Sequence, residues 1–214
     1  MRSRMERAAL PTVRALLDAI DTAINSNTFL LVADIGVPVA EGDTAAAVAA
    51  LVHHPGFGEL IATADAARCW GNWSFYDPEL RRYVPDPDRD PALMVRLDAA
   101  VTADSMDRAG FERHLRWLMT GAFSPYSTHI EPGTADRLIA EFCTQLLDGR
   151  GPAAATWLFA AIPPHFLHDS GYYSDSGIPS GPAYYFDGGG CDSCTAFHRK
   201  GDSVLYLLLT NGSP

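Results

Sequence analysis

At 214 residues, with 47% hydrophobic and 20% charged residues, the chain has the composition of an ordinary globular protein and the length to bury a core without staples. That balance excludes a disordered, collagenous or coiled-coil chain, and no apolar run reaches the roughly 18 residues that a membrane span needs. Sixteen basic residues against 26 acidic ones leave a net charge of -10, the wrong sign for a surface that binds nucleic acid.

Every basic residue except Lys200 is arginine, and alanine is abundant. This is the residue usage of a GC-rich genome and suggests a bacterial source. The charged start is followed by Ala8–Ile24, which Pro11, Arg14, Asp18 and Asp21 interrupt, so it reads as an amphipathic helix and not as a signal peptide. A cytoplasmic location is the expectation. There the four cysteines, Cys69, Cys143, Cys191 and Cys194, are expected as reduced thiols or metal ligands and not as a disulfide framework.

In chain order, Leu10, Val13, Leu16, Leu17, Ile20 and Ile24 recur at helical spacing and predict a helix over residues 5–24, ended by Asn25. Residues 28–39 form a short apolar run whose length does not separate strand from helix. Asp43 or Thr44 can cap a helix to His53, and Pro55-Gly56 separates it from a helix over residues 57–69. Residues 70–90, with Trp70, Trp73, Phe75, Tyr76 and Tyr83 followed by repeated prolines, read as a long loop pinned by aromatic anchors. The same residues could instead line a ligand pocket.

Helices are expected at 91–101 and 105–120, the second carrying a Glu112–Arg116 pair one turn apart. Thr134 is read as the cap of a helix to Leu147, closed by Gly149. A buried helix is expected at 152–161. Beyond Pro163-Pro164 the chain turns rich in glycine and aromatic residues. Residues 183–187, 195–199 and 203–210 read as strands, the last two joined by a hairpin at Gly201-Asp202. The continuous run Val204-Leu-Tyr-Leu-Leu-Leu209 marks a strand covered on both faces. The fold class expected is α+β: one domain, with a mainly helical body over 1–162, then a long Gly/aromatic-rich loop and a small C-terminal antiparallel sheet over 163–214.

Chemistry-bearing residues concentrate in that C-terminal part. Cys191-Asp-Ser-Cys194 supplies two thiols at the spacing of half a tetrahedral zinc shell, and His198 is a third candidate ligand if the chain bends after Cys194. In a straight strand Cys194 and His198 would stand roughly 13 Å apart. The same motif could be a redox dithiol, or simply two small residues beside the core. His165, His168 and Asp169 form a second candidate metal cluster. Asp187 belongs to a stretch between Arg150 and Arg199 that contains no lysine or arginine. Its carboxylates need solvent, backbone N–H groups, a cation from elsewhere in the fold, or a metal. His53, His54 and His129 read as helix-end or loop residues, and Cys143 as core. The sequence lacks the glycine loops, nucleophile elbow and zinc-helix motif of common enzyme classes. Two readings stay open. One is a metal-binding or thiol-dependent enzyme, zinc being the candidate metal, with its site in the C-terminal loops. The other is a non-catalytic protein-interaction module with a helical-repeat-like binding surface. Neither nucleic acid nor membrane is expected as a partner. A protein or a small molecule remains open.

Overall fold

The apolar run near the C-terminus lies in the middle of a six-stranded antiparallel sheet. The computed structural model describes residues 2–3, 9–68, 74–88, 95, 100–124, 126–149, 156–167 and 191–212. Among these the sheet contains β1 (Arg2–Ser3), β2 (Ser26–Asp34), β5 (Asp104–Met106), β6 (Trp157–Ala161), β7 (Ser193–Arg199) and β8 (Val204–Gly212), in the spatial order β1-β2-β8-β7-β6-β5. Strands β3 (Ser74–Asp77) and β4 (Arg82–Pro85) form a separate hairpin. The helices are α1 (Pro11–Ile24), α2 (Thr44–Val52), α3 (Phe57–Arg68), α4 (Arg108–Thr120) and α5 (Pro132–Phe142). A π-helical turn over Cys143–Asp148 continues α5. No single helix among the described residues is long and apolar enough to cross a membrane.

Helices cover both faces of the sheet. Strand side chains alternate between faces. Leu205, Leu207 and Leu209 of β8 therefore join Phe29, Leu31 and Ala33 of β2 and the buried sides of α2 and α3 in one core. Tyr206 and Leu208 join Leu30 and Val32 and the buried sides of α1, α4 and α5 in the other. The register holds the pattern in phase: β2 pairs with β8 from Ser26 opposite Gly212 to Asp34 opposite Val204, and β7 pairs with β8 from Ser193 opposite Thr210 to His198 opposite Leu205. The β7–β8 hairpin turns through Gly201 at φ 77°, a left-handed conformation that glycine adopts without strain. On the α1/α4/α5 side Phe197 stacks on its cross-strand partner Tyr206 at 5.0 Å and 10°, and Phe111 of α4 stacks on Phe159 of β6 at 4.9 Å. Such pairs add to area burial because the offset geometry suits the ring quadrupoles.

A sheet confined to the C-terminus does not survive this topology. Strands β2, β5 and β6 lie in the first 162 residues and belong to the same sheet as β7 and β8. The undecided run at 28–39 contains most of β2, and the helix expected at 152–161 gives way to β6. Its alanines favour a helix locally, but β6 has β5 on one side and β7 on the other, and tertiary pairing overrides propensity. Helix α4 starts later than expected, at Arg108. Asp107 caps it by accepting from the Gly110 N–H at 2.6 Å, because Asp104–Met106 is engaged as β5. Glu131, and not Thr134, caps α5, accepting from the Thr134 N–H at 2.8 Å. The loop at 70–90 contains the β3–β4 hairpin, with Phe75 and Tyr76 exposed. Of the helix expected at 91–101, Val95 instead bridges antiparallel to Leu167. Residues 91–94 and 96–99, the expected strand at 183–187, and Trp70 and Trp73 lie outside the described residues.

Other elements agree with the sequence reading. Helix α1 begins at Pro11, later than the residue 5 expected, and ends at Asn25, which adopts the left-handed conformation at φ 49°, and α2 and α3 occupy the expected positions. Gly149 closes the π-helical turn. A Cβ there would meet the Gln145 carbonyl oxygen at 2.8 Å, so no larger residue fits without a shift. Strand β8 is central, paired antiparallel to β7, as its continuous apolar run implies.

Truncating Leu207, which is fully buried in the middle of β8, to alanine should lower unfolding stability by about 2–5 kcal/mol through lost transfer free energy and a residual cavity. Urea unfolding followed by tryptophan fluorescence measures this. A loss below about 1 kcal/mol would contradict a double-sided core.

Candidate functional site

The strand geometry separates the two cysteines of the C-x-x-C motif. Cys191 packs in the core beneath α1, α4 and α5, its Sγ donating to the Phe123 carbonyl at 2.9 Å. Cys194, three residues on, packs in the opposite core with α2 and α3. Cys191 sits in the turn before β7 and Cys194 inside the strand, and their side chains enter different cores. Burial pushes the Cys194 thiol far above its usual range, and burial, with Glu112 second, pushes Cys143 up to about 12. Both shifts disfavour the thiolate, the form in which a cysteine attacks or binds a metal.

His198 shares the face of Cys194, since β7 runs straight through both residues. It is fully buried and its ring is engaged at both nitrogens, Nε2 with Thr44 Oγ1 at 3.1 Å and Nδ1 with the Arg199 carbonyl at 3.1 Å. The carbonyl can only accept, so Nδ1 donates to it, and the hydroxyl of Thr44 can serve Nε2 in either role. Thr44 thereby ties α2 to the sheet. His165 sits exposed in a turn, with its neighbours Phe166 and Leu167 buried. His168, Asp169 and Asp187 lie outside the described residues. Thus Cys191, Cys194 and His198 do not converge, and among the described residues no group of three His, Cys, Asp or Glu side chains is placed to hold a metal. His53, His54 and His129 occupy the helix-end and loop positions expected of them.

Two other places concentrate polar chemistry. At the start of β2, the wholly buried Asp65 of α3 accepts from Asn27 Nδ2 at 2.9 Å and from Ser74 Oγ at 2.8 Å. This carboxylate fastens the β3–β4 hairpin to the sheet. Beside it, Arg68 pairs with Asp18 at 2.7 Å and with Asp21 at 2.6 Å, and Asp21 also accepts from Ser26 Oγ at 2.9 Å. Burial raises the Asp21 carboxyl above its ordinary value, against the pull of Arg68. Breaking a buried pair of this kind leaves a charge uncompensated, which is why such networks fix one arrangement of their elements.

The second place is the outer face of α4 and α5. A groove of about 440 Å³ runs between them over a floor that includes Ile139, Ala140 and Cys143. Two ion pairs span it, Arg116 with Asp136 and Arg108 with Asp148, the latter through two hydrogen bonds of 2.8 and 2.9 Å. Glu112 pairs with Arg108 and not with the expected Arg116, which is drawn across to α5. At the C-terminal end of α4 and in the following loop, three large apolar side chains face solvent: Trp117, Phe123 and Tyr126, exposed to 42%, 78% and 67%. His114 stacks on Trp117 at 5.8 Å and meets Ser193 Oγ at 3.3 Å, and burial holds its imidazole below the ordinary pKa. None of these residues is among the candidates the sequence offers. The signal lies in Phe123 and Tyr126, two aromatics in a short polar loop, and in Trp117, which falls off the apolar stripe Phe111, Leu115, Leu118 and Met119 of α4.

Compared with family models, curated proteins and solved structures, the chain matches none. Its own geometry is therefore the ground for a functional reading.

Site-resolved alkylation of the folded protein should leave Cys143, Cys191 and Cys194 unmodified while urea exposes all three. Between about pH 7 and pH 9 the native rate at Cys143 should stay flat, where a thiol of ordinary pKa near 8.5 would accelerate. Rapid native labelling at Cys194 would place it outside the core. For His114 the folded pKa lies below the unfolded value of about 6.5. The unfolded chain then takes the proton first, so its contribution is full above that value and lost as pH falls below it. Urea midpoints at about pH 8 and pH 5 should show a smaller acid loss in His114→Gln than in the wild type. An equal loss would remove His114 as its source.

Proposed function

We propose that this protein is a non-catalytic interaction module, and that it binds a protein partner through the outer face of α4, α5 and the loop between them. The observation that carries this reading is the exposure of Trp117, Phe123 and Tyr126 within one short stretch of chain. Aromatic side chains exposed together on a folded surface have a cost in water that a partner removes, and tryptophan, tyrosine and arginine dominate binding energy at interfaces. Arg113, largely exposed and only 3.8 Å from the equally exposed Asp107, is free to exchange that weak pair for a partner carboxylate. The groove alongside gives the partner a recess in which to seat a side chain. Against an enzyme built on the C-terminal cysteines stands their burial in two separate cores.

The test is photo-crosslinking in the native host, with a benzophenone amino acid at position 123 and, as control, at the exposed Glu59 of α3 on the other side of the sheet. A discrete heteromeric adduct from position 123 alone is expected, reduced about tenfold by Trp117→Ser, the loss of one aromatic anchor. The same adducts from both positions, or none from position 123, would overturn the reading.

A further inference from the structure

The recess between α4 and α5 is bounded at both ends by ion pairs. Arg108 with Asp148 and Arg116 with Asp136 bridge it at points about 12 Å apart along α4. Between the bridges Ile139 and Cys143 are buried in the floor, and the exposed Ala109 and Ala140 keep the walls low. The recess thus takes apolar side chains that enter from outside, and its small wall residues let the element that carries them come close.

The charges around it are not equally engaged. Arg108, Arg116 and Arg137 each hold a carboxylate at hydrogen-bond distance. Arg113, between the bridges and one turn before Trp117, reaches Asp107 only at 3.8 Å, and both side chains are largely exposed. Asp107 keeps a partner without it, accepting from the Gly110 N–H at 2.6 Å. Arg113 is therefore the cation of this face that a partner carboxylate takes at least cost. The rest of the molecule sets the opposite condition. A net charge of -10 repels a partner that is acidic as a whole and favours a basic one.

The walls also decide the partner's backbone. Both are helices, whose N–H and C=O groups bond within the helix, so they offer no row of free backbone groups to an extended segment. Extended chain laid there would bury its own groups unpaired, whereas a helix satisfies them internally.

On the ground that the α4–α5 face is the interaction surface, we propose that its occupant is an amphipathic helix of the partner protein, basic overall, with one carboxylate at the edge of its apolar stripe. The stripe enters the recess and covers Trp117, and the carboxylate pairs with Arg113.

A display library of helical peptides of about 16 residues, long enough to hold a helix on an alanine framework, is panned on the purified full chain. Selected peptides should share apolar residues at helical spacing, Asp or Glu at one fixed position, and Lys or Arg on the outer side. Arg113→Glu should weaken the selected peptide about tenfold. Replacing the peptide's acidic residue by lysine should restore affinity for Arg113→Glu and lower it for the wild type. Arg14→Glu, the same charge change at an exposed position of α1, should leave affinity within about twofold. A proline in the middle of the peptide should abolish binding. The peptide should also compete away the crosslinked adduct from position 123. If that adduct forms but the selected peptides have no fixed acidic position, tolerate the central proline, or bind Arg113→Glu as tightly as the wild type, the acid-bearing helix is overturned and the interaction face stands. If no adduct forms from position 123, the face is overturned and the helix with it.

Discussion

The structure depends on one constraint: β2, β8 and β7 are buried on both faces. A strand in that position cannot place a polar face toward solvent, so its residues must be apolar in both phases of the alternation. Strand β8 meets the requirement from Leu205 to Leu209 and β2 from Phe29 to Ala33. Once these strands pair in register, two separate cores follow, and each demands its own helical cover. Helices α2 and α3 serve one face, and α1, α4 and α5 serve the other. The few polar groups in the sheet are then obliged to find partners, as His198 does in Thr44 and as Ser26 and Thr28 do in each other at 3.0 Å.

The same constraint decides what the cysteines can do. A C-x-x-C motif acts as a redox or metal pair when a turn brings its sulfurs to one side. Here the second cysteine is already inside a strand covered on both faces while the first sits in the turn before it, and the two thiols enter different cores. Burial then keeps Cys194 protonated. Polar chemistry is displaced to the margins of the sheet instead. One such margin is the end of β2, where Asp65, Asp21 and Arg68 lock α1, α3 and the β3–β4 hairpin together. Another is the outer surface of the helices.

Much of the fold was legible, and the reasons are physical. Helix α1 was visible because its apolar residues recur at helical spacing and α1 packs by that one stripe. The β7–β8 hairpin was visible because its turn carries a glycine at positive φ and its second strand is a continuous apolar run. Strand β6 was not, because Trp-Leu-Phe-Ala-Ala suits a buried helix as well as a strand, and only its two neighbours in the sheet distinguish them. Strand β2 stayed undecided for the same reason. The candidate surface was partly legible. On α4 the spacing of Phe111, Leu115, Leu118 and Met119 marks the buried stripe and leaves Trp117 off it, but Phe123 and Tyr126 lie in a loop, where no periodicity reports exposure.

By itself, the sequence determined the presence of α1 through α5, the hairpin near the C-terminus, the two-sided burial of its last strand and the placement of Cys143 in the interior. Each rests on periodicity, caps and turn residues, which act within a few positions along the chain. Only the tertiary structure decided that the sheet recruits strands from near the N-terminus and from the middle of the chain. It alone divided Cys191 from Cys194 and left Phe123 and Tyr126 exposed. Those outcomes depend on contacts between residues more than a hundred positions apart, such as Thr28 with Thr210 and Thr44 with His198, and local pattern carries no record of which distant strand will supply the next pair.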